Sequence, residues 1–232
     1  AFDEFVVQID GEISNFTAET HLLRDDGSGW ARTIEFWSPA QTTLAPFTVE
    51  SGDRFWWSNR VDNSETRLTR HFDLGALDAG TPVTMTARMA FDIEPDYDYG
   101  YLMASRDGVQ WTILPGDYTT DVNPSGMNLG DAYTGVAPES ESPDDAVWVT
   151  DHYDLSEYAG GDLWLRFNYI TDDAVTFPGW AIDEVSIPAI NYDEDFVGEA
   201  AGWESEGWVL TDGLLAQRWL LQAVELVDGE VV

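Results

Sequence analysis

The chain lacks both cysteine and lysine. Without Cys there is no disulfide framework, no thiolate metal site and no thiol nucleophile. Without Lys, all ten basic residues are Arg, and they stand against 44 Asp and Glu for a net charge of −34 over 232 residues. A field of that sign repels nucleic acid and anionic lipid and draws in cations, so no nucleic-acid partner is expected. No run of 18 apolar residues occurs, so no membrane insertion is expected either. Nothing at the start resembles a signal peptide. The ends, "AFDEF" and "DGEVV", read as cuts within a longer protein, which would leave any export signal outside this chain. Histidine is scarce too: His21, His71 and His152 are isolated, and no H-E-x-x-H is present. A zincin needs two His at i and i+4 on one helix with Glu between them as base, so zinc is not expected in this chain. No G-x-S-x-G elbow occurs. The chain is therefore expected not to be an enzyme.

A hydrophobic content of 44% is enough for a real core. Strand signals dominate, with alternating apolar residues over 67–74, 84–93, 146–155, 162–170 and 180–188. Residues 98–114 read as a hairpin around Asp107-Gly108, a pair that tolerates the positive φ of a tight turn. Only "SEYAG" (156–160) and parts of the last 20 residues suggest helix. Many short alternating strands punctuated by Gly and Asx turns predict an all-β, antiparallel sandwich. Three stretches are distinguished: 1–46, an unassigned β segment; 47–190, the main domain; and 191–232, a C-terminal extension whose "GWESEGW" suggests the start of a second β module. Residues 115–146, rich in Gly, Pro, Asn and Asp, form a long loop of the kind that is functional or mobile, with "PESESPDD" (138–145) its most disorder-prone part.

The segments "FWWSNRVDNSETRLTRHFDL", "DIEPDYDYGYLMASRDGVQWTILPG", "DLSEYAGGDLWLRFNYITD" and "GWAIDEVSIP", in that order, resemble the MAM-like jelly-roll module of the immune inhibitor A family of secreted metallopeptidases. The likeness covers roughly residues 50–220. It implies a jelly-roll β-sandwich with flanking β segments, an extracellular or cell-surface location, and a non-catalytic role beside a zinc protease domain. The implied partners are that catalytic domain and a protein substrate.

The carboxylates are the candidate ligands. On a regular strand "WAIDEVSIP" puts Asp183 on the face of Ala181, Val185 and Ile187, where an unpaired charge is costly. Calcium, which takes six to eight oxygens, would relieve that cost. In related jelly rolls an Asp of the last strand meets a Glu from the start of the first. The resemblance therefore implies calcium at Asp183, with Glu50 as the Glu and Asp62 or Asn63 adding oxygens. Two other acid groups compete. Glu94, Asp96 and Asp98, at spacing two, would share a face if their strand continued, or form a solvated turn. Asp121, Asn123, Asn128 and Asp131 have no EF-hand spacing. Eleven Trp, with Trp56-Trp57 adjacent, leave open a carbohydrate-binding module or an adhesive repeat of a cell-surface protein. A flat exposed row of Trp or Tyr would favour carbohydrate.

Overall fold

A computed structural model describes residues 36–49, 52–137, 147–197, 201–222, 226–227 and 230–231. The strands are β1 (Gln41–Thr43), β2 (Phe55–Trp57), β3 (Glu65–Asp73), β4 (Thr84–Ile93), β5 (Tyr99–Ser105), β6 (Thr112–Ile113), β7 (Gly135–Val136) and β8 (Val149–Asp154). They continue with β9 (Asp162–Ile170), β10 (Gly179–Ile187), β11 (Tyr192–Glu194), β12 (Glu204–Glu206), β13 (Val209–Thr211), β14 (Leu214–Ala216), β15 (Leu226–Val227) and β16 (Glu230–Val231). Among the described residues, helix is confined to single 3-10 turns at Ser156–Tyr158 and Pro188–Ile190, the first inside "SEYAG". The fold is the expected antiparallel sandwich. One sheet runs β13-β2-β10-β4-β7, with β11 also on β10 and β8 also on β4; the other runs β12-β3-β9-β5-β6.

Alternation explains the core. Met85, Ala87, Met89, Phe91 and Ile93 of β4 face Leu163, Leu165, Phe167 and Tyr169 of β9 across the sandwich, all in one buried cluster. Trp180 sits among them, its ring 4.9 Å from Tyr133, 5.5 Å from Phe167 and 5.7 Å from Trp208. The Trp56-Trp57 pair splits as strand geometry demands. Trp56 joins the main core, while Trp57 joins a second cluster with Phe47, Phe55, Ala90 and Ala181 on the outer side of its sheet.

The compact sandwich unit spans Gln41–Ala216; residues up to Ala40 and from Gln217 form a second unit. The stretch after 190 is thus not set apart from the sandwich. β12 pairs with β3 and β13 pairs with β2, so one short segment adds an edge strand to each sheet. Trp203 and Trp208 from the same segment lie in the main core. "GWESEGW" looks like the opening of a module because it alternates, but its two Trp are covered by the existing sheets.

The long loop also differs from its composition. Over its described part, 115–137, it is pinned. Asn128 is 8% exposed. Its Nδ2 donates to the carbonyls of Thr120 and Val122, both at 3.1 Å, and its Oδ1 accepts from Tyr101 Oη at 3.2 Å and from Gly130 N–H at 3.0 Å. Asn123 closes the loop on Asn128 with two further bonds of 3.0 Å. At the loop's start, the buried carboxylate of Asp151 accepts from Asp117 N–H at 2.6 Å and from the Tyr133 hydroxyl. Only Gly fits between them: a Cβ at Gly116 would stand 2.5 Å from Asp151 Oδ2. The "PESESPDD" stretch lies outside the described residues.

Candidate functional site

Asp183 does not sit where regular alternation puts it. β10 pairs one-to-one with β4 from Gly179↔Asp92 to Asp183↔Arg88, then skips to Val185↔Ala87. Glu184 is the extra residue of this β-bulge, at φ 41°. The bulge keeps Ile182, Val185 and Ile187 on the core side and leaves Asp183 with Ala181 on the outer side. Asp183 is still fully buried, and its Oδ1 accepts the Glu184 N–H at 2.8 Å. Its directly opposed residue is Arg88, whose Nη1 donates to Thr150 Oγ1 at 3.2 Å and whose Nε lies 3.8 Å from Glu184 Oε2.

The carboxylates converge elsewhere, at the end of the sandwich where β4 stops, β5 and β3 start and β9 stops. Glu94, Asp98 and Asp172 each bring an oxygen within 4.8 Å of the others, the one such group among the described residues. Three loops assemble it. After Ile93 the chain makes a tight turn, with Asp98 N–H bonded to Glu94 O at 3.3 Å and Asp96 at φ 71°. Spacing of four across this turn brings Glu94 and Asp98 together and leaves Asp96 exposed. Asp172 lies two residues past the end of β9, and its N–H donates to Asp98 Oδ1 at 2.8 Å. The 61–64 loop closes the third side. Asn63 N–H donates to Asp172 O, and Thr171 Oγ1 donates to Val61 O at 2.7 Å and accepts from Ser64 N–H at 3.0 Å. Two of the expected residues, Asp62 and Asn63, thus lie on a loop that borders the group.

The electrostatics are those of crowded acids. Asp98 is 1% exposed, and burial, reinforced by the Glu94 and Asp172 carboxylates against the opposing bond from Asp172 N–H, pushes it up to about 6. Glu94 is raised by burial, then by Asp172 and Asp62. Its Oε2 is buried with no hydrogen-bond partner among the described residues. The Tyr169 hydroxyl, which donates to Asp98 Oδ2 at 3.4 Å, is pushed up by burial and by the Asp98 charge. An all-oxygen donor set, one orphaned buried oxygen and a spread of 4.8 Å fit a hard dication. Calcium–oxygen bonds of about 2.3–2.6 Å place opposite ligands about 5 Å apart.

The expected ligands thus do not all meet. Asp183, opposite Arg88, is six residues up β4 from Glu94, about 20 Å at strand rise. Glu50 lies outside the described residues. The two described histidines belong to no metal group: His71 Nε2 bonds Asp162 at 2.7 Å and His152 Nδ1 bonds Asp117 at 2.8 Å, both at the surface; His21 lies outside the described residues. Two of the half-buried indoles have a neighbouring side chain against the ring. Arg166 covers a face of Trp111 at 4.0 Å, and His71 lies 4.6 Å from Trp164. No helix among the described residues is long and apolar enough to cross a membrane.

Comparison with known proteins agrees with this architecture. The chain is 27% identical over 154 residues to the pre-pro-metalloprotease PrtV of Vibrio cholerae serotype O1 (strain M66-2), covering 66% of this chain and 15% of that protein. It is 26% identical over 166 residues to immune inhibitor A of Bacillus thuringiensis subsp. alesti, covering 70% and 21% respectively. Bacillopeptidase F of Bacillus subtilis (strain 168) matches at 22% over 162 residues, 68% of this chain and 10% of that protein. The chain spans about a fifth or less of these relatives. Residues 33–213 match the model of the MAM domain of immune inhibitor A-like proteins. That match takes in both sheets and the loop-end carboxylates, and the chain belongs to the immune inhibitor A-like MAM domain family.

Proposed function

We propose that this chain is a non-catalytic, extracellular accessory domain of an immune inhibitor A-like metalloprotease, and that calcium at the Glu94, Asp98 and Asp172 end stabilises it. Its work is structural: it orients or shields a catalytic domain, or holds protein substrate for it. The observation that carries this reading is the match over 33–213, which lies on the MAM domain and takes up only a minor share of each relative. Among the described residues, the one group suited to a metal is three carboxylates. Such ligands suit a structural hard cation rather than the nitrogen ligands of a hydrolytic zinc. When bound, calcium would supply positive charge where three loops meet, and Glu94, Asp98 and Asp172 would hold it.

Two experiments test the two halves. The purified chain, incubated with a denatured protein and zinc, should produce no fragments; chelator-sensitive cleavage that follows the chain through purification would overturn the accessory role. Terbium, a luminescent stand-in for calcium, should be sensitised by tyrosine near the site and displaced by calcium. Glu94→Gln should abolish that signal, and an unchanged signal in Glu94→Gln would place the ion elsewhere.

A further inference from the structure

We infer that the segments flanking the jelly roll on its two sides form one cooperative unit of their own, and that a two-stranded neck at the ends of 41–216 depends on it. The neck is β1 against β14, antiparallel, with Gln41↔Ala216, Thr42↔Leu215 and Thr43↔Leu214 in register. It stands apart from both sandwich sheets as a separate two-stranded sheet. Ala40 and Gln217, the residues just beyond it, are joined by Gln217 N–H donating to Ala40 O at 2.8 Å. In the flank unit itself the Trp219 ring packs edge-on against Phe36 with centroids 5.6 Å apart, and its Nε1 donates to Pro39 O at 3.4 Å.

The two flanks thus meet at Ala40 and Gln217. Contacts divide the chain accordingly, with Ala1–Ala40 and Gln217–Val232 in one unit. The neck's inner end is held by Leu44 and Ala45 N–H donating to Gly213 O at 2.8 and 3.3 Å. A two-stranded ladder is marginal in water, so its outer end draws on the flanks holding each other. The N-terminal flank then depends on the C-terminal one, although 176 residues of sandwich separate them in sequence.

Hydrogen exchange on the full chain tests this through Trp219→Ala, at a residue 40% exposed and outside the sandwich core. Protection of the amides at 36–43 should fall at least tenfold, with β4, β9 and β10 unchanged. Unchanged protection at 36–43 would overturn the inference. So would loss of protection across β4, β9 and β10 as well, because the flanks would then belong to the sandwich's own cooperative unit.

Discussion

Asp98 shows how a carboxylate can be both buried and useful. Its folded pKa of about 6 exceeds the ordinary Asp value of about 3.9. Between those values the folded state holds more protons than the unfolded one, so stability falls as pH rises. In chelator, the chain should lose of order 2 kcal/mol between pH 4 and pH 7 from this site. Asp98→Asn, which keeps an acceptor for Asp172 N–H, should flatten that fall in pH-dependent urea melts; an unchanged slope would show that Asp98 does not titrate there. Legibility in sequence was uneven at this scale. Asp62 and Asn63 were picked out as oxygen donors, and they border the acid group. Alternation groups Asp183 correctly with Ala181 but wrongly with Val185 and Ile187, because a bulge at Glu184 with positive φ leaves no mark in an alternating string. Asp172 was missed because only the pairing of β5 with β9 brings it to Asp98, 74 residues away. The signal for Glu94 and Asp98 is a spacing of four across a Pro-containing turn, whereas the sequence reading sets only a strand-like spacing of two against a solvated turn.

At the scale of elements, alternation located the long strands, and β9 falls on the expected 162–170. It misjudged short elements whose burial comes from distant partners. β12 and β13 are three residues each, and their identity rests on β3 and β2 rather than on their own pattern. The 115–137 loop is equally opaque: its Asn and Gly content reads as a functional or mobile loop, yet Asn128 satisfies three of its backbone groups and the Tyr101 hydroxyl of β5. Asn128→Ala should therefore cost about 1–3 kcal/mol, since it strands buried polar groups. Limited proteolysis checks it: wild type should resist cutting within 117–136, and the variant should be cut there early. A wild-type chain cut first within 117–136 would contradict the pinning.

At the scale of the whole molecule, two forces oppose. A core of aromatic and aliphatic side chains holds two sheets together, and a net charge of −34 pushes the compact state apart. Salt screens that repulsion, the Debye length shrinking from about 10 Å at 0.1 M to about 3 Å at 1 M. The melting temperature should rise between low and molar sodium chloride, and a flat response would mean that the acids are already neutralised in pairs or by bound cations. Trp208→Ala should cost about 3–5 kcal/mol, the range for a buried large aromatic, because the segment that supplies it completes both sheets. Retention of full stability would make β12 and β13 an appendage after all.

Thermal unfolding with calcium and with chelator, on wild type, Asp172→Asn and Asp183→Asn, tests the proposed calcium stabilisation most directly. Calcium at a hundredfold over its dissociation constant should stabilise the wild type by about 2.7 kcal/mol, a rise in Tm of roughly 5–10 °C for a chain of this size. Asp172→Asn should lose most of that rise and Asp183→Asn should keep it. A wild type that melts identically in calcium and in chelator would contradict the account, and loss of the rise only in Asp183→Asn would move the ion to β10.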